Sequence, residues 1–296
     1  MLTKIYRKAI PLSFRTKIYD LFLRSILIFF RNFDLITKSK FVFLFQWILP
    51  KTEVNKALAF MGRYGLTSYP YPYMLEYRNI NIIVEFDNEI NLSYVLHNNK
   101  KLYFPITFNE SKIIQTYRSL LIEQDIRAAH RYVESYSSLA DKTLLDIGSA
   151  EGIFALDTIE FVKHVYLFEY EDYWYEPLKA TFKPWGNKVT IIKKYINDFN
   201  DETNITIDDF LKGKQKDNLY LKMDIEGAEI SALNGAANTL KNGVNIGLSV
   251  CTYHRPGDPE KISKLLSSFG YSFEFTNGLM YWNKRFSKNV IRAIKN

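Results

Sequence analysis

The feature that most constrains this chain is an apolar run that closes in a glycine-containing loop, Leu144-Leu145-Asp146-Ile147-Gly148-Ser149-Ala150-Glu151-Gly152. An apolar run followed by Asp-x-Gly-x-x-x-Gly predicts a buried strand, a sharp turn and a helix that begins at Ile153. The unpaired N–H groups at the start of that helix would face the loop, where open α/β sheets bind their ligands. The pattern therefore favours an enzyme with a cofactor site.

A second apolar run supports this interpretation. Val165-Tyr166-Leu167-Phe168-Glu169 ends in a carboxylate seventeen residues after Gly152. An acidic side chain about 20 positions past the glycine loop, at the end of the next strand, can accept hydrogen bonds from both hydroxyls of a ribose. The structural alternative is that Gly148 and Gly152 only shape a turn between a strand and a helix. The placement of Glu169 favours a cofactor-binding loop over this alternative.

The glycine spacing separates two classes of cofactor. A dinucleotide fold requires Gly-x-Gly-x-x-Gly, and here the middle position is Ala150. The run instead resembles motif I of the class I S-adenosylmethionine-dependent methyltransferases. That resemblance implies a cofactor site built from the ribose ligand Glu169 and the loop residues Asp146, Gly148, Ser149 and Gly152, with Asp146 orienting the loop.

A later acidic block narrows the resemblance to one family. Lys222-Met223-Asp224-Ile225-Glu226-Gly227-Ala228-Glu229 reads as a strand that ends at Asp224 and a helix that opens with acidic residues. Together with Ile207-Asp208-Asp209-Phe210 and the two stretches above, the block resembles the FkbM family of O-methyltransferases over about residues 141–271. Tyr170, where many members carry proline, departs from the family pattern.

The resemblance implies an S-adenosylmethionine-dependent methyltransferase (EC 2.1.1) acting on a hydroxyl. The acceptor it implies is a small molecule or glycan, above all a sugar in a bacterial surface glycan, glycolipid or secondary metabolite. One alternative is a nicotinamide-dependent oxidoreductase, against which Ala150 counts. Another is a non-catalytic, membrane-associated module that retains the fold.

Three residues are candidates for the chemistry. Asp224 and Glu226 follow the fourth predicted strand of the α/β region, and His254 follows the fifth, so all would reach the ligand-binding edge of the sheet. One of them could remove the hydroxyl proton. Alternatively, the three could hold a divalent cation such as Mg²⁺, while the structural alternative for Glu226 is helix capping. His130, just before the first strand of this region, is expected to have a structural role.

Strands and helices alternate from Lys142 onward. Strands are predicted near 143–147, 164–168, 188–192, 219–223 and 245–250, and a closing hairpin is predicted over Tyr271–Trp282 with its turn at Asn277-Gly278. This pattern predicts an α/β fold with a doubly wound, mostly parallel, seven-stranded sheet of the Rossmann-like methyltransferase kind, preceded by a helical and small β extension.

The extension is expected in two parts. The predicted domains are a basic, apolar helical segment at 1–68, an accessory or substrate region at 69–136 and the cofactor-binding domain at 137–296. Within the second part, Ile80–Phe86, Ile90–Leu96 and Lys101–Phe104 predict an antiparallel meander, and Ser111–Tyr136 has helical spacing.

Charge is concentrated at the N-terminus. Residues 1–51 hold ten Lys or Arg and two Asp, a net charge of +8, whereas the rest of the chain carries 29 basic and 30 acidic side chains. Short apolar runs at Leu21–Leu23, Ile26–Phe30 and Phe41–Leu49 lie among these charges, which is typical of peripheral contact with an anionic membrane or of helices that pack on the protein or a second subunit. No run reaches the roughly 18 uncharged residues of a spanning helix. The pattern does not favour nucleic acid.

Cys251 is the only cysteine, which excludes an internal disulfide and favours a reducing compartment. We therefore expect a cytoplasmic enzyme, with contact at the inner face of the membrane as the open alternative. The sequence does not indicate an oligomeric state.

Overall fold

The computed structural model describes residues 32–295, and the apolar runs Leu21–Leu23 and Ile26–Phe30 fall outside them. The chain forms two compact units that divide between Tyr71 and Pro72. The domain boundaries at 68 and 136 stay predictions.

The first unit contains two helices, α1 (Phe33–Leu44) and α2 (Glu53–Tyr64). The Thr52 hydroxyl caps α2 by accepting a hydrogen bond from the Asn55 N–H, and Glu53 lies at the positive end of the helix. The helices approach so closely that a Cβ on Gly62 would lie 2.2 Å from the carbonyl oxygen of Ser39. Within residues 32–295 no helix has the length and apolarity needed to cross a bilayer.

The second unit contains the remaining elements. Its helices are α3 (Glu110–Glu123), α4 (Ile153–Thr158), α5 (Asp172–Phe182), α6 (Ile207–Phe210), α7 (Glu229–Asn234), α8 (Ala237–Asn242) and α9 (Asp258–Ser268). Short 3-10 turns lie at Pro72–Tyr77, Tyr136–Leu139 and Lys183–Trp185. Its strands are β1 (Glu85–Asp87), β2 (Leu92–His97), β3 (Lys100–Phe104), β4 (Thr143–Ile147), β5 (His164–Phe168), β6 (Val189–Ile192), β7 (Tyr195–Ile196), β8 (Asn204–Ile205), β9 (Leu219–Met223), β10 (Gly247–Cys251), β11 (Ser272–Phe275), β12 (Met280–Trp282), β13 (Arg285–Ser287) and β14 (Val290–Ile294).

A seven-stranded sheet organises this unit, with strand order β11-β14-β10-β9-β4-β5-β6. The pairs among β10, β9, β4, β5 and β6 are parallel, and β14 runs antiparallel to both of its neighbours. Every residue of β9 and β10 is buried, as expected for central strands covered on both faces. The α/β fold with a mostly parallel seven-stranded sheet is therefore confirmed, and the carboxyl ends of β4, β5, β9 and β10 meet at one edge.

Two sequence expectations were wrong. The predicted hairpin does not form, because β11 pairs with β14 while β12 pairs with β13. The antiparallel strand β14 inserts between β10 and β11. The turn motif Asn277-Gly278 is local and does not indicate which strand pairs with β11. The predicted helix over Ser111–Tyr136 ends at Glu123, and the following residues turn back so that His130 and Tyr132 reach the sheet edge.

The small antiparallel sheet β1-β2-β3 lies beside α5. Asn98 and Asn99 adopt positive φ angles of 50° and 62° in the turn between β2 and β3, as a tight hairpin requires. The Tyr103 N–H donates to the hydroxyl of Thr181 at 3.0 Å, which joins β3 to α5. Strand β1 is shorter than predicted and begins only at Glu85.

Candidate active site

The loop after β4 is held against the end of β9. Gly148 has φ +74°, and a Cβ there would lie 2.1 Å from the carbonyl oxygen of Asp224. Only glycine permits this approach. Gly152, with φ +81°, begins α4, and a Cβ there would meet the side chains of Phe182 and Leu178 within 3 Å. Gly148 therefore brings the loop and Asp224 together, and Gly152 lets the loop pack against α5.

Glu169 connects the end of β5 to this loop. Its Oε2 accepts a hydrogen bond from the Ala150 N–H at 2.9 Å, and its Oε1 accepts one from the Glu171 N–H at 2.8 Å. Burial raises the pKa of Glu169, although the two backbone donors oppose the rise. Each carboxylate oxygen retains a lone pair for a ligand, because a carboxylate offers about four acceptor sites.

One cleft of about 560 Å³ extends from Glu169 along the sheet edge. Gly148, Ala150, Asp224 and Glu226 line it together with Glu169. Its other wall is aromatic and polar, since Tyr170 and Tyr195 stack at 4.1 Å between ring centroids and Asn197 lies beside them. The volume lies within the range typical of small-molecule and cofactor sites.

A buried ion pair supports the loop from below. The ammonium of Lys222 lies 3.0 Å from Asp146 Oδ1 and donates to the carbonyl oxygen of Gly148 at 2.6 Å. Burial would lower the pKa of Lys222, but the charges of Asp146 and Asp224 outweigh it and raise the pKa. Asp146 therefore acts on the loop through Lys222.

The loop also buries two polar side chains with few partners. The Ser149 hydroxyl oxygen makes no hydrogen bond to any described residue. Glu151 is 7% exposed, and burial raises its pKa to about 8, so its carboxyl group is largely protonated at neutral pH.

Asp224 lies at the centre of a polar cluster. Tyr132 donates to its Oδ2 at 2.9 Å, Tyr253 donates to its Oδ1 at 3.2 Å, and His130 Nε2 lies 3.4 Å from Oδ2. Burial would raise the pKa of Asp224, but His130, Lys222 and His254 hold it well below its usual range. Asp224 is therefore ionised, and the two tyrosines fix its orientation.

His254 lies between carboxylates. Its Nε2 is 3.4 Å from Asp224 Oδ1 and 3.7 Å from Glu226 Oε2, and its Nδ1 is 2.8 Å from Glu229 Oε1. Burial would lower the pKa of His254, but contact with Glu229 and the charge of Asp224 raise it. The structure thus brings the three sequence candidates for the chemistry together, and two of them, Asp224 and Glu226, line the cleft.

The sequence profile described as the Methyltransferase FkbM domain matches residues 79–273. The chain belongs to the FkbM methyltransferase family. The matched residues contain the loop after β4, Glu169, Asp224, Glu226 and His254.

The FkbM domain is also similar to solved methyltransferase structures. A match to an FkbM methyltransferase from Methylobacillus flagellatus KT has 19% identity and a TM-score of 0.41, and covers 61% of this chain and 54% of that chain. A match to a putative RNA methyltransferase from Pyrococcus horikoshii has 13% identity and a TM-score of 0.36, and covers 62% and 82%. This chain spans about half the length of the Methylobacillus protein. No curated protein matches it significantly.

Several site residues of this FkbM domain were missed by sequence reasoning. Tyr132 and Tyr253 gave no signal beyond being aromatic, and His130 was expected to be structural although it contacts Asp224. Glu229 was predicted only as an acidic residue near the start of a helix, and it also contacts His254. Lys222 did carry a usable signal, since a lysine in an otherwise apolar strand requires a buried partner.

Proposed function

We propose that this chain is an S-adenosylmethionine-dependent O-methyltransferase whose acceptor is a hydroxyl group. The observation that carries the proposal is that one cleft is lined both by Glu169 and by Asp224 and Glu226. A ribose-binding carboxylate and a group of proton acceptors at opposite parts of one cleft are what a methyl transfer to oxygen needs. The FkbM family match supports the methyl transfer itself.

The residues present fit this cofactor. Glu169 keeps acceptor capacity toward the cleft for ribose hydroxyls, and Gly148 and Ala150 expose backbone at its floor. The Ser149 hydroxyl is buried, and no described residue hydrogen-bonds to its oxygen, so it is available to a polar group of the ligand. The acidic side chains of the cleft favour a cationic donor over the pyrophosphate of a dinucleotide.

S-adenosylmethionine, when bound, supplies an electrophilic methyl group on a sulfonium. The residues of this chain then have to hold the acceptor oxygen in line and remove its proton. Asp224, fixed by Tyr132 and Tyr253, accepts a hydrogen bond from the acceptor hydroxyl. His254 in its neutral form, with Nε2 3.4 Å from Asp224 Oδ1, takes the proton, and the neighbouring carboxylates stabilise the imidazolium that results.

For the acceptor we propose a sugar, in a bacterial surface glycan, glycolipid or secondary metabolite. The support is the family resemblance together with the aromatic residues Tyr170, Tyr173 and Tyr195 that line the cleft, since aromatic rings can stack on sugar rings.

We also propose that His254, Asp224 and Glu226 can bind a divalent cation such as Mg²⁺. Activity with and without chelator distinguishes this metal site from a metal-free one. The support for the metal site is that His254 Nε2 lies 3.4 and 3.7 Å from the two carboxylate oxygens, so small side-chain movements would bring all three to one ion. Glu229 at Nδ1 is equally suited to a metal-ligating histidine and to a general base.

The test is transfer of a labelled methyl group to a panel of nucleotide sugars, lipid-linked glycans and polyketides, with and without chelator. We expect label in a hydroxyl-bearing acceptor, large losses of turnover in Asp224→Ala and His254→Ala, and retained binding of S-adenosylhomocysteine. Fluorescence titration with NADH tests the oxidoreductase alternative, which requires that NADH bind and S-adenosylhomocysteine not. A non-catalytic module requires that both alanine variants keep full biological activity.

A further inference from the structure

The first unit carries an exposed apolar surface on α1 and the turn that follows it. Five side chains form this surface, each more than 40% exposed, and we refer to them as the aromatic face: Phe41, Leu44, Phe45, Trp47 and Ile48. Trp47 and Ile48 are 78% and 76% exposed. Large apolar side chains scattered singly are ordinary on a protein surface, whereas a contiguous group of them indicates a docking surface.

In the aromatic face, Phe41 and Leu44 lie on α1, and Phe45, Trp47 and Ile48 lie in the turn that follows it. Residues 41, 44, 45 and 48 follow the three- and four-residue spacing of a helical stripe, and the rings of Phe41 and Phe45 lie 4.7 Å apart. Ser39 and Val42, on another side of α1, are buried. The helix therefore has two apolar sides: one is buried within the first unit, and the other is exposed.

Basic side chains lie close to these residues in the sequence. Lys38, Lys40 and Lys51 are exposed on α1 and directly after its turn. They belong to the segment 1–51, whose net charge is +8 in a chain of net charge +7. An apolar stripe with a tryptophan and flanking lysines is the composition of a helix that lies in the interface of a bilayer, with aromatic rings at headgroup depth and ammonium groups on lipid phosphates.

We propose that the aromatic face docks this enzyme on the surface of a bilayer that contains anionic lipids. The charge argues against a second copy of the chain as the occupant. A symmetric pair of aromatic faces would bring Lys38, Lys40 and Lys51 close to their own counterparts, and like charges across an interface are unfavourable. The contact is peripheral in the described part of the chain, which contains no helix able to cross the bilayer.

The experiment is flotation of the full chain with vesicles of phosphatidylcholine, with and without phosphatidylglycerol, at low and high salt. We expect binding only to the anionic vesicles, weakened at about 1 M salt because the screening length falls to about 3 Å. Trp47→Ala/Ile48→Ala should bind about tenfold or more weakly, since both lose buried apolar area in the bilayer. Lys38→Gln/Lys40→Gln should bind about fivefold more weakly per lysine.

The matched control is Ile126→Ala/Val244→Ala, which removes side chains that are 73% and 67% exposed in the second unit. It should bind vesicles as the unaltered chain does, and all variants should bind S-adenosylhomocysteine equally, which keeps this test separate from the proposed function. The proposal is overturned if the unaltered chain ignores anionic vesicles at low salt, or if the Trp47 and Ile48 variant binds normally. It is also overturned if light scattering shows a dimer that this variant converts to a monomer.

Discussion

Glu229 Oε1 lies 2.8 Å from His254 Nδ1, and this contact directs the opposite ring nitrogen of His254 toward Asp224 and Glu226. The Glu229 carboxylate is itself held in place, because the same oxygen lies 3.0 Å from the Ile225 N–H and 3.4 Å from the Gly227 N–H, both of which donate to it. It is 1% exposed, so water does not screen it. Glu229 is therefore a positioning residue for His254.

The first prediction concerns this contact. Glu229→Gln keeps the shape of the side chain and removes its charge, so kcat should fall about 10- to 100-fold, the usual effect of losing a carboxylate that orients a functional histidine. Binding of S-adenosylhomocysteine should stay unchanged, because Glu229 does not line the cleft beside Glu169. Glu260→Gln, an exposed acid in the first turn of α9, is the control and should retain full turnover. Unchanged kcat in Glu229→Gln would contradict the positioning role.

The second prediction uses two glycines with the same backbone conformation. Gly148 and Gly213 have φ angles of +74° and +73°, but a Cβ on Gly148 would lie 2.1 Å from the Asp224 carbonyl oxygen, whereas nothing lies within 4 Å of one on Gly213. Gly213→Ala should cost about 1 to 2 kcal/mol of stability from backbone strain alone and leave ligand binding intact. Gly148→Ala should also abolish binding of S-adenosylhomocysteine in calorimetry. Equal binding by the two variants would show that the approach of the loop to Asp224 is not needed.

The third prediction tests the buried ion pair. Lys222→Met leaves Asp146 as an unpaired buried charge and should lower the free energy of unfolding in urea by about 3 to 5 kcal/mol. Adding Asp146→Asn removes that charge, so the double variant should be more stable than Lys222→Met alone. If the second substitution lowers stability further, the two side chains do not act as a pair.

The fourth prediction follows from Glu151. Burial raises its pKa to about 8 in the folded chain, above the ordinary value of 4.5. Between these values the unfolded chain loses the proton and the folded chain keeps it, so stability from this group is complete below about pH 4.5 and declines as pH rises toward 8, by about 1.4 kcal/mol per unit at most. Glu151→Gln cannot ionise, so its melting temperature relative to the unaltered chain should rise between pH 5 and 8. A constant difference over that range would show that Glu151 is already ionised in the folded chain.

The sequence predicted those parts of the fold that depend on local pattern. Apolar runs located β4, β5, β6, β9 and β10 to within two residues, and the central strands β9 and β10 are almost wholly apolar because both their faces are covered. The position of β14 was not predictable, since it depends on pairing between residues about forty positions apart, as between Cys251 and Val290. Pairing between strands so far apart in the sequence produces no pattern in the residues of either strand.

The candidate site likewise contains residues that the local sequence pattern predicts and residues that only long-range contacts bring into place. Gly148, Glu169 and Asp224 follow strands directly, so topology alone brings them to one edge. Tyr132 reaches Asp224 from a segment that is neither helix nor strand, and only the early end of α3 at Glu123 makes that possible. The segment 124–135 had helical apolar spacing, and tertiary hydrogen bonds such as that of Asp125 with Tyr77 override it.

The account depends most directly on the cleft beside Glu169, and calorimetric titration with S-adenosylhomocysteine is the measurement that tests it. The unaltered chain should bind the compound, and Glu169→Gln should bind it about tenfold or more weakly, because hydrogen bonds from ribose hydroxyls to a charged acceptor contribute about 1.5 to 3 kcal/mol. No heat with the unaltered chain, or equal affinity in the Glu169 variant, would contradict the proposed cofactor site.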